Sequence, residues 1–112
     1  MLLGDLGAEV IKVEPLAGDR MKDHPGYLCW NRNKQVVTLD LHTFAGLSAA
    51  RSLLATADMA VFDWHPGELE RSGLDAVTVR AANPALLHAW FPPYSPHGRW
   101  SQPPPDEALL SA

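Results

Sequence analysis

Apolar and polar positions change rhythm along this chain so that helix alternates with strand. Leu2, Leu3 and Leu6 share one face of a short opening helix over 1–6. Gly7 follows as a residue free to take positive φ just past a helix end. Residues 9–14 carry Val10, Ile11 and Val13, a β-branched run suited to a strand buried in a sheet, and Pro15 closes the hydrogen-bonding ladder. A polar loop over 16–26 holds Gly18-Asp19-Arg20 and the turn His24-Pro25-Gly26. Residues 27–33 make a helical turn that sets Asn31, Arg32, Asn33 and Lys34 at a surface bend. A second strand over 35–41 alternates Val37, Leu39 and Leu41 with polar neighbours.

Thr43 then caps a helix over 44–57 whose buried stripe is predicted as Phe44, Leu47, Ala50 and Leu54, with Arg51 facing solvent. Residues 59–62 are a third strand. His65-Pro66-Gly67-Glu68 turns into a short helix that stops at Gly73, and Asp75 caps another over 76–82, ended by Asn83-Pro84. Residues 86–91 are a fourth strand. The tail from 92 to 105 is rich in turns, and a new apolar helix is predicted from Asp106. Strands separated by helical crossovers imply parallel pairing with flanking helices, an α/β class. The opening helix has no cap and no strand before it, so the start reads as incomplete.

Composition narrows this modestly. The 112 residues suffice for one domain, which we take as 1–112; 46% are hydrophobic and 20% charged, ordinary for a globular protein. A net charge of −4 leaves no basic footprint for nucleic acid. One cysteine, Cys29, excludes an intrachain disulfide and suits a reducing, cytoplasmic compartment. No apolar run approaches the ~20 residues that span a bilayer, and Asp5 and Glu9 interrupt the only segment resembling a signal peptide.

Ligands of parallel α/β sheets gather at strand carboxyl ends. Here these are Glu14-Pro15, Leu41-His42, Asp63-Trp64-His65 and the stretch from Pro92 to Tyr94. No glycine-rich dinucleotide fingerprint follows a strand, and the five histidines lack metal-ligand spacing, so no metal site is predicted. Asp63-Trp64-His65-Pro66-Gly67 is the most informative turn: polar and aromatic groups leave a strand, then a helix N-terminus favours anions at the same crevice. It also reads as an ordinary strand-to-helix turn with Asp63 solvated and Trp64 over the sheet edge. Arg71 either reaches back to a phosphate or sits in water. Asp106 and Glu107 are acidic residues at a helix start, which the helix dipole alone accounts for. Residue types reach a parallel α/β domain with an anionic ligand at its strand ends, and no reaction.

Leu3-Gly4-Asp5-Leu6-Gly7-Ala8-Glu9-Val10-Ile11-Lys12-Val13-Glu14-Pro15 resembles the N-terminal signature of the class III coenzyme A transferases, the CaiB/BaiF family of formyl-CoA transferase, carnitine CoA-transferase and α-methylacyl-CoA racemase. Similar matches follow in order: Asn31-Arg32-Asn33-Lys34, Leu39-Asp40-Leu41, Ala57-Asp58-Met59, the stretch from Pro66 to Leu74, and Asn83-Pro84-Ala85-Leu86-Leu87. The resemblance implies a partial Rossmann-like parallel sheet with flanking helices, a truncated piece of a much longer parent, and coenzyme A or an acyl-CoA as the bound substrate. It implies a CoA thioester and a homodimer, or a second CoA-transferase half, as partners.

By resemblance, Leu39 and His42 border the adenosine of coenzyme A, Asp63, Trp64 and His65 lie beside the thioester arm, and Arg71 contacts a phosphate. Glu107 matches an acidic position near the acyl group. The family's catalytic aspartate, which attacks the acyl-CoA to give a mixed anhydride and is then converted by the released thiolate to an aspartyl-CoA thioester, falls beyond Ala112. Pro15, Gln35 and His42 stand where relatives carry basic residues. The isolated chain is therefore expected to be inactive. The alternative is a degenerate, non-catalytic pairing module of the same fold.

Overall fold

A computed structural model describes residues 1–92, 97 and 98. Those residues follow the order α1 (Leu2–Asp5), β1 (Val10–Glu14), α2 (Tyr27–Asn31), β2 (Lys34–Thr38), α3 (Phe44–Thr56), β3 (Met59–Phe62), α4 (Glu68–Ser72), α5 (Ala76–Ala82) and β4 (Leu87–Trp90). Every strand pairing is parallel, and helices flank the strands, as the alternation of patterns predicts. The chain is organised as two compact units, Met1–Ala50 and Arg51–Ala112.

In the first unit β1 pairs with β2, Val10 opposite Lys34 through Glu14 opposite Thr38. The link between α1 and the start of β2 is tight. A Cβ on Gly4 would lie 2.8 Å from the Asn33 carbonyl oxygen, and Asn33 itself sits at φ 59. Asp5 receives Arg32 Nε at 3.1 Å, Arg32 Nη2 at 2.6 Å and Asn33 Nδ2 at 2.8 Å. The two motifs singled out in sequence, around Gly4-Asp5 and Arg32-Asn33, are therefore one junction. The Arg32 guanidinium holds the Asp5 carboxyl below the usual carboxylate range.

In the second unit β3 pairs with β4, Met59 opposite Leu87 through Phe62 opposite Trp90. Ala60, Leu69, Leu74, Val79 and Leu86 are buried around this pair. The caps are those that local sequence predicts. Asp75 Oδ1 accepts from the Thr78 amide at 3.0 Å, and Gly73 takes φ 62 after α4. Asn83 Nδ2 donates to the Leu54 and Ala57 carbonyls at 3.0 and 2.8 Å, satisfying acceptors that the end of α3 leaves free.

Three expectations change. Hydrogen bonding among the described residues groups the strands into two pairs, β1-β2 and β3-β4, where the resemblance implies one partial Rossmann-like sheet. A strand pattern specifies that strands form and which face is apolar; it does not specify which edges meet. Ile11 and Val13, expected to be buried, are 41% and 38% exposed: they share one face of β1, and the covered face is the opposite one, carrying Lys12 and Glu14. Phe44, expected in the buried stripe, is 83% exposed; the covered positions of the first half of α3 are Gly46 and Ala50, one turn apart.

Candidate functional site

The tip of β3 is built by short-range contacts. Past Phe62 the chain leaves as Asp63-Trp64-His65, with Asp63 exposed and the next two residues half-buried. Trp64 meets Phe62 edge-on at 6.3 Å between ring centroids, and Phe62 stacks on His88 at 4.7 Å. His88 lies 3.1 Å, through Nε2, from the Leu74 carbonyl, which requires the proton on Nε2. The Trp90 indole N–H donates to the Trp64 carbonyl at 2.9 Å. An aromatic file from β4 to the β3 tip thus fixes where the turn begins.

The turn closes on itself. The Glu68 amide donates to the His65 carbonyl at 3.2 Å across the Pro66-Gly67 turn, and the Glu68 carboxylate accepts from the His65 amide at 2.7 Å, closing the turn a second time. This arrangement alters the expected anion site. The acidic side chain takes an amide that a phosphate would use, and a five-residue α4 sums few peptide dipoles. The cation at the turn is Arg71. Its guanidinium has no hydrogen-bond or ion-pair partner among the described residues, and Nη1 lies 3.2 Å from where a Cβ on Gly67 would stand. Gly67 has φ 83, so a side chain there is strained as well as crowded. His65 Nδ1 is buried without a hydrogen-bond partner.

Leu39 and His42 belong to the first unit. The Leu39 amide donates to the Glu14 carbonyl at 3.0 Å, carrying β2 one residue beyond its strand. Asp40 then organises the loop: Oδ1 accepts from the His42 amide at 3.0 Å, and its carbonyl accepts from the Thr43 amide at 3.1 Å and from Thr43 Oγ1 at 2.8 Å. Thr43 Oγ1 caps α3 by accepting from the Gly46 amide at 3.1 Å. Leu39 is half-buried and His42 exposed.

At the carboxyl end of β1 stands a charge network that sequence reasoning missed. Lys12 Nζ is paired with Glu14 Oε1 at 2.8 Å and with Asp19 Oδ2, and lies 5.0 Å from the centre of the Tyr27 ring. Tyr27 donates its hydroxyl to Glu14 Oε1 at 3.0 Å, and Asp19 Oδ1 also accepts from the Met21 amide at 2.7 Å. Glu14 is only 7% exposed. Lys12, then Tyr27, hold its carboxyl below the usual range against burial; Lys12 does the same for Asp19. The signal in the sequence was the spacing of Lys12 and Glu14, which puts both on one face of a strand, next to a Gly-Asp loop.

Of the residues picked from sequence, Asp63, Trp64, His65 and Arg71 share one continuous turn and helix of the second unit. Leu39 and His42 share one loop of the first. Tyr94, Asp106 with its expected helix, and Glu107 lie outside the described residues. Among the described residues no group of three or more His, Cys, Asp or Glu could hold a metal, and no helix is long and apolar enough to cross a membrane.

Parallel strand pairs joined through helices define an α/β protein. The model of CoA-transferase family III matches residues 1–111, and the chain belongs to that family. It is 37% identical over 116 residues to the CoA-transferase/lyase DddD of Marinomonas sp. (strain MWYL1), covering 100% of this chain and 13% of that protein. It is 34% identical over 122 residues to the Homo sapiens succinyl-CoA:glutarate CoA-transferase, covering 100% of this chain and 28% of the relative. The orthorhombic crystal structure of Rv3272 from M. tuberculosis matches with TM-score 0.87 at 34% identity, over 98% of this chain and 32% of that one. A CAIB/BAIF family protein from Brucella suis matches with TM-score 0.73 at 35% identity, over 79% of this chain and 27% of that one. The chain thus spans between 13% and 32% of the length of these proteins.

Proposed function

We propose that residues 1–112 supply coenzyme A-binding surface for an enzyme that moves coenzyme A between carboxylic acids or epimerises an acyl-CoA. Family membership supports the reaction class. The observation that carries the site is the Arg71 guanidinium, without a partner among the described residues, beside side-chain-free Gly67 after the β3 tip. A phosphate needs a cation with donors to spare and room to approach, and this corner offers both. Asp63, Trp64 and His65 border the thioester arm in this reading. Leu39 and His42 belong to the first unit, and their place beside the adenosine rests on the family resemblance.

With Glu68 on the neighbouring amide, phosphate recognition rests on Arg71. Arg71→Ala is expected to weaken coenzyme A binding about tenfold by calorimetry, a charge-assisted contact discounted for its exposure. Equal affinity of variant and parent would remove the site. In this reading, which follows the family resemblance, the nucleophilic aspartate is not among residues 1–112, so these residues alone are expected to bind thioesters without forming the aspartyl-CoA thioester or transferring coenzyme A. Turnover by this chain with an acyl-CoA donor and a carboxylate acceptor would contradict that. A cytoplasmic, reducing setting suits the exposed free thiol of Cys29.

A second reading, a non-catalytic pairing module, draws on Leu2, Leu3, Leu6, Ile11, Val13 and Val36, all exposed in the first unit. Its partner would be a second copy of the chain or another CoA-transferase half. Self-association in sedimentation with no heat on adding coenzyme A favours this reading. Coenzyme A binding favours the first.

A further inference from the structure

Residues 63–73 carry four of the proposed ligand contacts, and the segment is held from outside at both ends. At its start the Trp90 indole donates to the Trp64 carbonyl at 2.9 Å. Trp90 sits opposite Phe62 in the parallel register, and the last backbone bond of that ladder runs from the Phe91 amide to the Phe62 carbonyl at 2.8 Å. The indole therefore continues the pairing two residues past the end of β3, where backbone pairing has stopped. At the other end Arg51 of α3 donates Nη2 to the Ser72 carbonyl at 2.8 Å. That carbonyl is the last of α4 and has no acceptor role within so short a helix. The position after it is shaped to admit the guanidinium: a Cβ on Gly73 would stand 2.6 Å from Arg51 Nη2.

Resting on the coenzyme A reading above, we propose that Trp90 and Arg51 are positioning residues for this site. The indole sets the direction in which Asp63-Trp64-His65 leave the strand. The guanidinium fixes the last turn of α4, and with it the adjoining Arg71. The Glu68–His65 link lies inside the segment and cannot orient it against the rest of its unit. Neither positioning side chain is among the proposed ligand contacts, so each acts through the backbone it holds.

The test uses Trp90→Phe, which keeps a ring and loses the N–H, and Arg51→Ala beside Arg51→Lys, each in the full chain. Site-resolved amide exchange is read first, then calorimetric titration with coenzyme A. Trp90→Phe is expected to speed exchange of the His65 amide, whose bond to Glu68 lies just past the anchored Trp64 carbonyl, and Arg51→Ala that of residues 71–74, each about fivefold, the order of one hydrogen bond. Protection at Val79 and Ala89 should stay unchanged. Both variants should bind coenzyme A about fivefold more weakly, with Arg51→Lys recovering part of the loss. Unchanged exchange across 63–74 overturns the proposal whatever coenzyme A does. Faster exchange with coenzyme A affinity equal to the parent's overturns the positioning role and leaves the coenzyme A reading standing. A parent chain that does not bind coenzyme A takes down that reading and the role built on it together, an outcome visible before any variant is titrated.

Discussion

The two units of this chain are held by different forces. In Met1–Ala50 lie the ion pairs Lys12–Glu14, Lys12–Asp19 and Arg32–Asp5, while Ala50 is its buried apolar side chain. In the second unit the pattern differs: Ala60, Leu69, Leu74, Val79 and Leu86 are buried, and among the described residues the polar contacts of Asp75 and Asn83 serve helix ends. A small apolar hollow lined by Leu54, Ala55, Val79 and Ala82 also belongs to that unit. Apolar burial is indifferent to pH and strengthened by excluded salts, whereas paired charges answer to both proton and salt concentration. One chain therefore carries two kinds of stability, and each should fail under its own stress.

The largest expected effect is on the apolar side. Leu74 is 1% exposed, and Leu74→Ala should cost about 2–5 kcal/mol by lost transfer energy and the cavity left behind. Urea unfolding followed by exchange at β3 and β4 checks it. A cost below that of an ordinary surface change would mean the second unit is not organised by its core. Next comes Lys12→Met, which leaves the nearly buried Glu14 facing Asp19 without their shared cation; a loss of about 1–3 kcal/mol is expected, read from exchange at β1 and β2.

Acid should separate the units without a mutation. Glu14 and Asp19 titrate below their ordinary values in the folded state. Their contribution is thus fully present above the ordinary carboxylate range, about pH 4, and is lost as pH falls through the lowered folded values. Nuclear magnetic resonance signals of β1 and β2 should lose dispersion before those of β3 and β4 as the solution is acidified. Simultaneous loss would erase the contrast between the units. The smallest effect is expected at Phe44→Ser, within about 0.5 kcal/mol, because the ring is 83% exposed. A larger loss would mean that something covers this ring.

Local grammar made much of the fold legible. Thr43, Gly73 and Asp75 were readable as caps because each acts on amides or φ angles within three residues of itself. The parallel sense of the strands followed from helices lying between them. What stayed hidden depends on distant partners. Nothing near Ile11 tells which face of β1 is covered, and nothing near Phe44 tells that Gly46 and Ala50 take the covered face of α3. At the candidate site the run from Asp63 to His65 and Arg71 was visible as composition. The competition of Glu68 for the His65 amide stays hidden, because it depends on which way the Glu68 side chain folds back across the turn. Trp90 was invisible as a partner because its indole reaches a carbonyl 26 residues away.

One glycine carries a consequence for the first unit. A Cβ on Gly46 would fall 1.9 Å from the Asp40 carbonyl oxygen, which the Thr43 amide and hydroxyl already grip from the other side. Even a methyl would press on that carbonyl, so the opening turn of α3 packs directly against the strip bearing Leu39 and His42. A side chain at position 46 would have to push the two apart, and the His42 backbone, tied to Asp40, would move with it.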